Sequence, residues 1–166
     1  AIMRQARRQT LGFALAFAAW LASGAGALAP TAQAADAADG TASIGMVKSV
    51  QGQAWIVTGA RSETATLGAR LYEGSTLRTG PGDSTIGIAL KDNTLISLGP
   101  SSELSLDEYR FAPAEGALGL VVSMTRGTME FLTGMIARLR PDSVVVKTPT
   151  GTLGVRGTRF LVKLDE

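Results

Sequence analysis

The stretch Thr85-Ile-Gly-Ile-Ala-Leu-Lys-Asp-Asn-Thr-Leu-Ile-Ser-Leu98 decides the fold class. Ile86, Ile88 and Leu90 fall on every second position, which gives one face of an extended strand an apolar surface. Lys91-Asp92-Asn93-Thr94 then interrupts the pattern, and Asp and Asn tolerate the left-handed backbone that a tight hairpin turn demands. Leu95-Ile96-Ser97-Leu98 resumes the alternation, so the segment reads as a β-hairpin. Working outward, similar short runs surround Ile44, Met46 and Val50, then Ala54 and Ile56, and recur over 76–79, 103–107, 118–124, 127–132, 143–147 and 158–164. Glycines at 52, 68, 74, 80, 99, 127, 151, 154 and 157 punctuate them, as expected where the chain turns sharply after a few residues. Only Met135, Ile136 and Leu139 fall at helical spacing, predicting one short helix within 133–139 ended by Pro141. The expectation is an all-β domain built as an irregular β-solenoid or β-roll of short strands with one short helix.

Composition narrows the chemistry. The 166 residues contain no Cys and no His. A Ser-His-Asp or Cys-His nucleophile, a zinc site built on Cys or His, an iron–sulfur cluster and a disulfide framework are therefore excluded. No cofactor and no metal are expected. Arg4, Arg7 and Arg8 precede an apolar run over 11–22, and small residues follow up to Ala32-Gln33-Ala34, the order of a secretory signal peptide with an A-x-A cleavage site. Residues 1–34 are read as a signal-peptide helix removed on export, 35–43 as a flexible linker and 44–166 as the β domain. The run is shorter than the ~20 residues of a spanning helix, so no membrane span is expected to persist after cleavage. The leader holds three of the 16 positive charges and none of the 14 negative ones, leaving 13 − 14 = −1 for the mature chain. The remaining Lys and Arg alternate with acids and form no basic stripe, so no nucleic-acid partner is expected. The product is expected in the periplasm or secreted.

The segment Val144-Val-Val-Lys-Thr-Pro-Thr-Gly-Thr-Leu-Gly-Val-Arg-Gly-Thr-Arg-Phe-Leu-Val162, with Gly154, Val155, Arg156, Gly157 and Thr158 at its centre, resembles the ending of the FecR domain family. Gly45-Met-Val-Lys-Ser-Val-Gln-Gly52 is similar to the family's opening strand. Leu71-Tyr-Glu-Gly-Ser-Thr-Leu-Arg-Thr-Gly80 resembles its G-D-x-L-x-T-G segment with Ser75 in place of Asp. Lys91-Asp-Asn-Thr-Leu-Ile-Ser-Leu98 resembles its D-G-S-x-x-x-L hairpin with Asn93 in place of Gly, and Leu104-Ser-Leu-Asp-Glu-Tyr109 continues the match. The resemblance implies an extracytoplasmic, solenoid-like β domain. In familiar members such a domain follows a cytoplasmic anti-sigma segment and one transmembrane helix, and it relays a signal from an outer-membrane transporter. Here a leader stands where those parts would lie, so the expectation is a free-standing exported domain without direct sigma-factor control.

Three sets of residues invite a functional reading. Gly151, Gly154 and Gly157 give the stretch the glycine-rich character of a phosphate loop, but such loops open a helix, and here the β-type run Phe160-Leu161-Val162 follows. Sharp turns are the better reading. Arg156 is expected to clamp a carboxylate, with Asp107 or Glu108 as partner, or else to face a ligand. Asp107 and Glu108 are adjacent on a strand, point to opposite faces and cannot converge as a hydrolytic pair. Trp55, Tyr72 and Tyr109 are either an exposed set able to stack on a sugar or peptide, or core or edge fillers, and the core reading is the better default. The overall expectation is a non-enzymatic interaction or signalling module. Its partner would be an envelope protein, a membrane receptor or sensor, bound through an open strand edge. The alternative is a module for cell-wall glycan or another carbohydrate.

Overall fold

The computed structural model describes residues 42–164. The expected signal peptide, 1–34, and most of the expected linker, 35–43, lie outside the described residues. The hairpin is present as read: β6 (Thr85–Leu90) pairs antiparallel with β7 (Leu95–Leu98), and Asn93 carries the positive φ of 65° that the turn requires.

Two chains of strands radiate from this region. On one side, β6 pairs with β1 (Gly45–Gln51), which pairs with the two-residue β4 (Arg70–Leu71). On the other, β2 (Ala54–Thr58) lies between β3 (Arg61–Thr64) and β5 (Thr76–Thr79), and β5 pairs with β8 (Glu103–Ala112). The 16-residue β9 (Ala117–Leu132) joins the two sets. Its first half pairs with β8 and with β10 (Val144–Thr148), which carries β11 (Gly151–Gly154). Its second half pairs with β7 and with β12 (Arg159–Leu164).

β9 can change partners because of Gly127. Its φ is +89°, and a Cβ there would stand 2.1 Å from Ser102 Oγ and 2.5 Å from Ser102 Cα, so no side chain fits. The sequence expectation of two strands, 118–124 and 127–132, is thus corrected to one strand bent at this glycine.

Inward side chains of both halves meet in one core. Ile56, Leu77, Leu104, Leu106, Leu120 and Val122 come from one set, and Val47, Ile86, Ile88, Ile96, Met129 and Phe131 from the other; all are at most 1% exposed. Each contributes about 1.5–3 kcal/mol of burial. The Phe131 ring stacks on Phe160 with centroids 4.8 Å apart, which ties β12 to the core.

The all-β class and the single short helix are as expected. The described strands form a curled antiparallel sheet, whereas a solenoid stacks successive turns in parallel. Connections such as Gly59-Ala60 and 91–94 are too short to join anything but antiparallel neighbours, and they join β2 to β3 and β6 to β7. The parallel ladder that does occur, β9 with β10, has the long crossover such a ladder needs, and that crossover contains α1 (Met135–Leu139). Among the described residues no helix is long and apolar enough to cross a membrane.

Candidate functional site

Three segments far apart in the sequence converge at one corner: the 91–94 turn, the junction between β9 and α1, and the loop from β11 to β12. The first contact is made by Asp92, whose side chain is fully buried. Its Oδ2 accepts the Thr94 hydroxyl at 2.7 Å and the Ile136 amide at 3.3 Å, and its Oδ1 accepts the Thr94 amide at 3.3 Å. A carboxylate at the first turn of α1 is favoured electrostatically as well as by hydrogen bonding. The Met135 amide donates to the Asp92 carbonyl at 2.7 Å, and the Gly134 amide to Thr94 Oγ1 at 3.1 Å.

Gly134 is required by this closeness rather than by its dihedrals. A Cβ there would stand 2.3 Å from the Asp92 carbonyl oxygen and 2.4 Å from the Thr94 nitrogen. One residue earlier, Thr133 reaches the other way. Its hydroxyl donates to the Gly157 carbonyl at 3.0 Å and its amide to the Thr158 carbonyl at 3.0 Å. Thr133 and Gly134 therefore link the D-N-T turn to the G-V-R-G-T loop.

Tyr109 seals the corner from the core side. The Asp92 amide donates to its hydroxyl oxygen at 2.8 Å, and that hydroxyl points back at Asp92 Oδ1 at 3.4 Å. Burial, reinforced by the neighbouring carboxylate, pushes the hydroxyl well above the ordinary tyrosine range. Tyr109 is thus a core residue, as the preferred of the two readings had it, and the alternative that places it in an exposed aromatic set is corrected. The cause is a bulge: the register of β8 shifts between Leu106 and Glu108, so Tyr109 rather than Glu108 turns inward. Trp55 lies on the opposite, outward side of its own strand, between the buried Ala54 and Ile56, and both it and Tyr72 are half-buried. The three rings do not form one platform.

The loop itself has a buried anchor and an exposed tip. Val155 is 5% exposed, while Gly154, Arg156, Gly157 and Thr158 face solvent. Gly157 has φ +110°, a conformation suited to glycine. The expected clamp from Arg156 to Asp107 or Glu108 is not formed. Glu108 pairs instead with Arg110 Nε at 3.1 Å, and Asp107 accepts a short hydrogen bond from the Ser123 hydroxyl. Among the described residues Arg156 makes no ion pair.

A sequence model of the FecR protein family matches residues 75–166, more than half of the chain, and includes all three converging segments. The chain belongs to the FecR family. No curated protein and no solved structure matches it. Seen through this FecR match, the D-N-T and G-V-R-G-T motifs are two sides of a single structural lock. The residues missing from the sequence reading are Thr133 and Gly134, which join them. Their only local signal is a Thr-Gly pair just before the helical spacing begins.

Every buried side-chain polar atom among the described residues has a hydrogen-bond partner, and no group of acids there has the arrangement of a metal site. A concavity of about 330 Å³ is bounded by Ile44, Glu73, Lys91, Tyr109 and Phe111. Glu73 is engaged in the fold, accepting the Tyr109 amide at 3.3 Å.

Proposed function

We propose that this FecR-family chain is a non-enzymatic envelope module that acts in signalling or regulation by binding another protein. Residues 1–34 direct its export, and the mature domain works in the periplasm or beyond. Family membership supports the signalling role. The observation that carries the binding reading is the corner: Asp92 and Thr94 hold the junction between β9 and α1, and Thr133 at that junction holds the backbone of the exposed loop at Gly157 and Thr158. A preformed loop binds without the entropic penalty of being ordered at the moment of contact. The glycan reading loses Tyr109 to the core.

The test is in-cell photo-crosslinking from position 156, with position 62 on β3 as the control. A discrete envelope protein captured from 156 and not from 62 is the expected result. A mature protein found in the cytoplasm, or identical adducts from both positions, would overturn the reading. Saturating glycan fragments are expected to leave the Trp55 fluorescence of the mature domain unchanged.

A further inference from the structure

The last of the described strands has an open side among the described residues. Four strands have one neighbour among the described residues: β3, β4, β11 and β12. Exposed strand edges invite pairing, and proteins normally blunt them by shortness, charge, proline or bulges. β4 has two residues, β11 has four and is bounded by glycines, and β3 presents Arg61 and Glu63. β12 is the longest of the four. It has six residues and no proline, pairs with β9 without a register shift, and carries two exposed cations, Arg159 and Lys163, where β3 carries one charge of each sign.

Its hydrogen-bonding phase follows from one bond. The Thr133 amide donates to the Thr158 carbonyl, which makes Thr133 and Thr158 a bonded pair of the β9–β12 ladder. Antiparallel alternation then assigns the backbone groups of Phe160 and Val162 to β9 and turns those of Arg159 and Leu161 to the open side. The same two residues carry exposed side chains, and Leu161 is 66% exposed. An added strand would place its own side chains directly across from theirs.

Charge indicates what that strand carries. From 143 to 164 the chain holds Lys147, Arg156, Arg159 and Lys163, and the nearest acids in sequence lie at the flanks, at Asp142, Asp165 and Glu166. Arg159 pairs with Glu130 across the ladder, which leaves further guanidinium donors, and Arg156 stands in the preceding loop with no ion pair among the described residues. Building on the binding role proposed above, we infer that the open edge of β12 takes an extended segment of a partner protein, added as a further strand. The segment has an apolar residue opposite Leu161 and carboxylates reaching Arg159 and Arg156. The locked 154–158 loop fixes the start of this edge, which gives the corner its purpose.

The test uses the purified protein, isotopically labelled, and an eight-residue peptide with leucine near its centre, valines beside it and glutamate at both ends. The symmetric charge pattern allows either strand direction. Saturable binding is expected, with the Arg159 and Leu161 amides shifting and exchanging more slowly. A lysine-for-glutamate peptide should bind about tenfold more weakly or worse. Leu161→Pro removes an outward donor while leaving the β9 ladder intact, and should abolish binding. Should that variant fail to fold, Leu161→Thr serves instead, because it keeps the backbone, a strand-compatible side chain and the charge while removing the apolar contact; it should weaken binding severalfold. No saturable binding, a response centred on other strands, or binding indifferent to both substitutions would overturn the inference. A protein crosslinked from position 156 in cells together with a silent peptide titration would refute strand addition while leaving the module reading standing.

Discussion

Replacing Asp92 by alanine should be the most damaging single change at the corner. The carboxylate accepts from Thr94 Oγ1 at 2.7 Å, from the Thr94 and Ile136 amides at 3.3 Å each, and from the Tyr109 hydroxyl at 3.4 Å. Truncation strands these donors in a site with no solvent exposure, and each buried unsatisfied donor costs about 1–3 kcal/mol. Three of the four bonds are long, and water can enter the vacated space, so the sum is not four full penalties. A loss of about 3–5 kcal/mol is expected, which corresponds to a fall in Tm of roughly 10–20 °C for a domain of this size. The assay is urea unfolding at neutral pH, read as a lower midpoint at unchanged slope. Asp92→Asn, which keeps the shape and one acceptor oxygen, should lose about half as much. A loss below about 1 kcal/mol for Asp92→Ala would refute the reasoning, because the corner would then not depend on its carboxylate.

Three further outcomes follow from the same geometry. Gly127→Ala should destabilise by about 1–3 kcal/mol or more, since its Cβ would collide with the Ser102 backbone and its φ is positive; thermal denaturation checks this. Tyr109 has a raised pKa in the folded state, so its contribution is complete below the unfolded value of about 10 and is lost as pH climbs above it. Tyr109→Phe should therefore unfold with less pH dependence in that alkaline window, as measured by midpoint against pH, while being less stable at neutral pH because the Asp92 amide loses its acceptor. Glu103→Gln removes the partner of Arg78 at 3.3 Å and Arg126 at 3.6 Å on a solvated face, and should change stability by less than about 1 kcal/mol in the same urea assay.

Much of the fold was legible because its signals are local. The alternation over 85–98, the Asp-Asn turn and the helical spacing before Pro141 each occupy a few consecutive residues, and each appears in the structure. What was illegible depends on residues distant in the chain. β9 reads as two strands because Gly127 looks like a break; only Ser102, 25 positions away, shows that it is a bend. Alternation sends Tyr109 outward, and only the bulge at Asp107 in the β8–β9 ladder reverses it. β3 and β11 are exposed throughout and β4 has only two residues, so none of them shows an alternating pattern of its own and each owes its form to its neighbour. The site shows the same division. Its two motifs are visible as patterns, but the linking pair Thr133 and Gly134 bonds to partners 24 and 40 positions away, beyond any local pattern. Arg156 was legible as unusual, yet its expected acids are engaged on the other half of the sheet.

The most direct test of the account is residue-resolved hydrogen exchange on the unliganded protein. The structure predicts slow exchange at Thr94, Gly134, Ile136, Phe160 and Val162, whose amides are bonded at the corner or in the β9 ladder, and fast exchange at Arg159 and Leu161 on the open edge. Arg159 and Leu161 exchanging as slowly as Phe160 and Val162 would contradict it, for the edge offered to a partner would then already be closed.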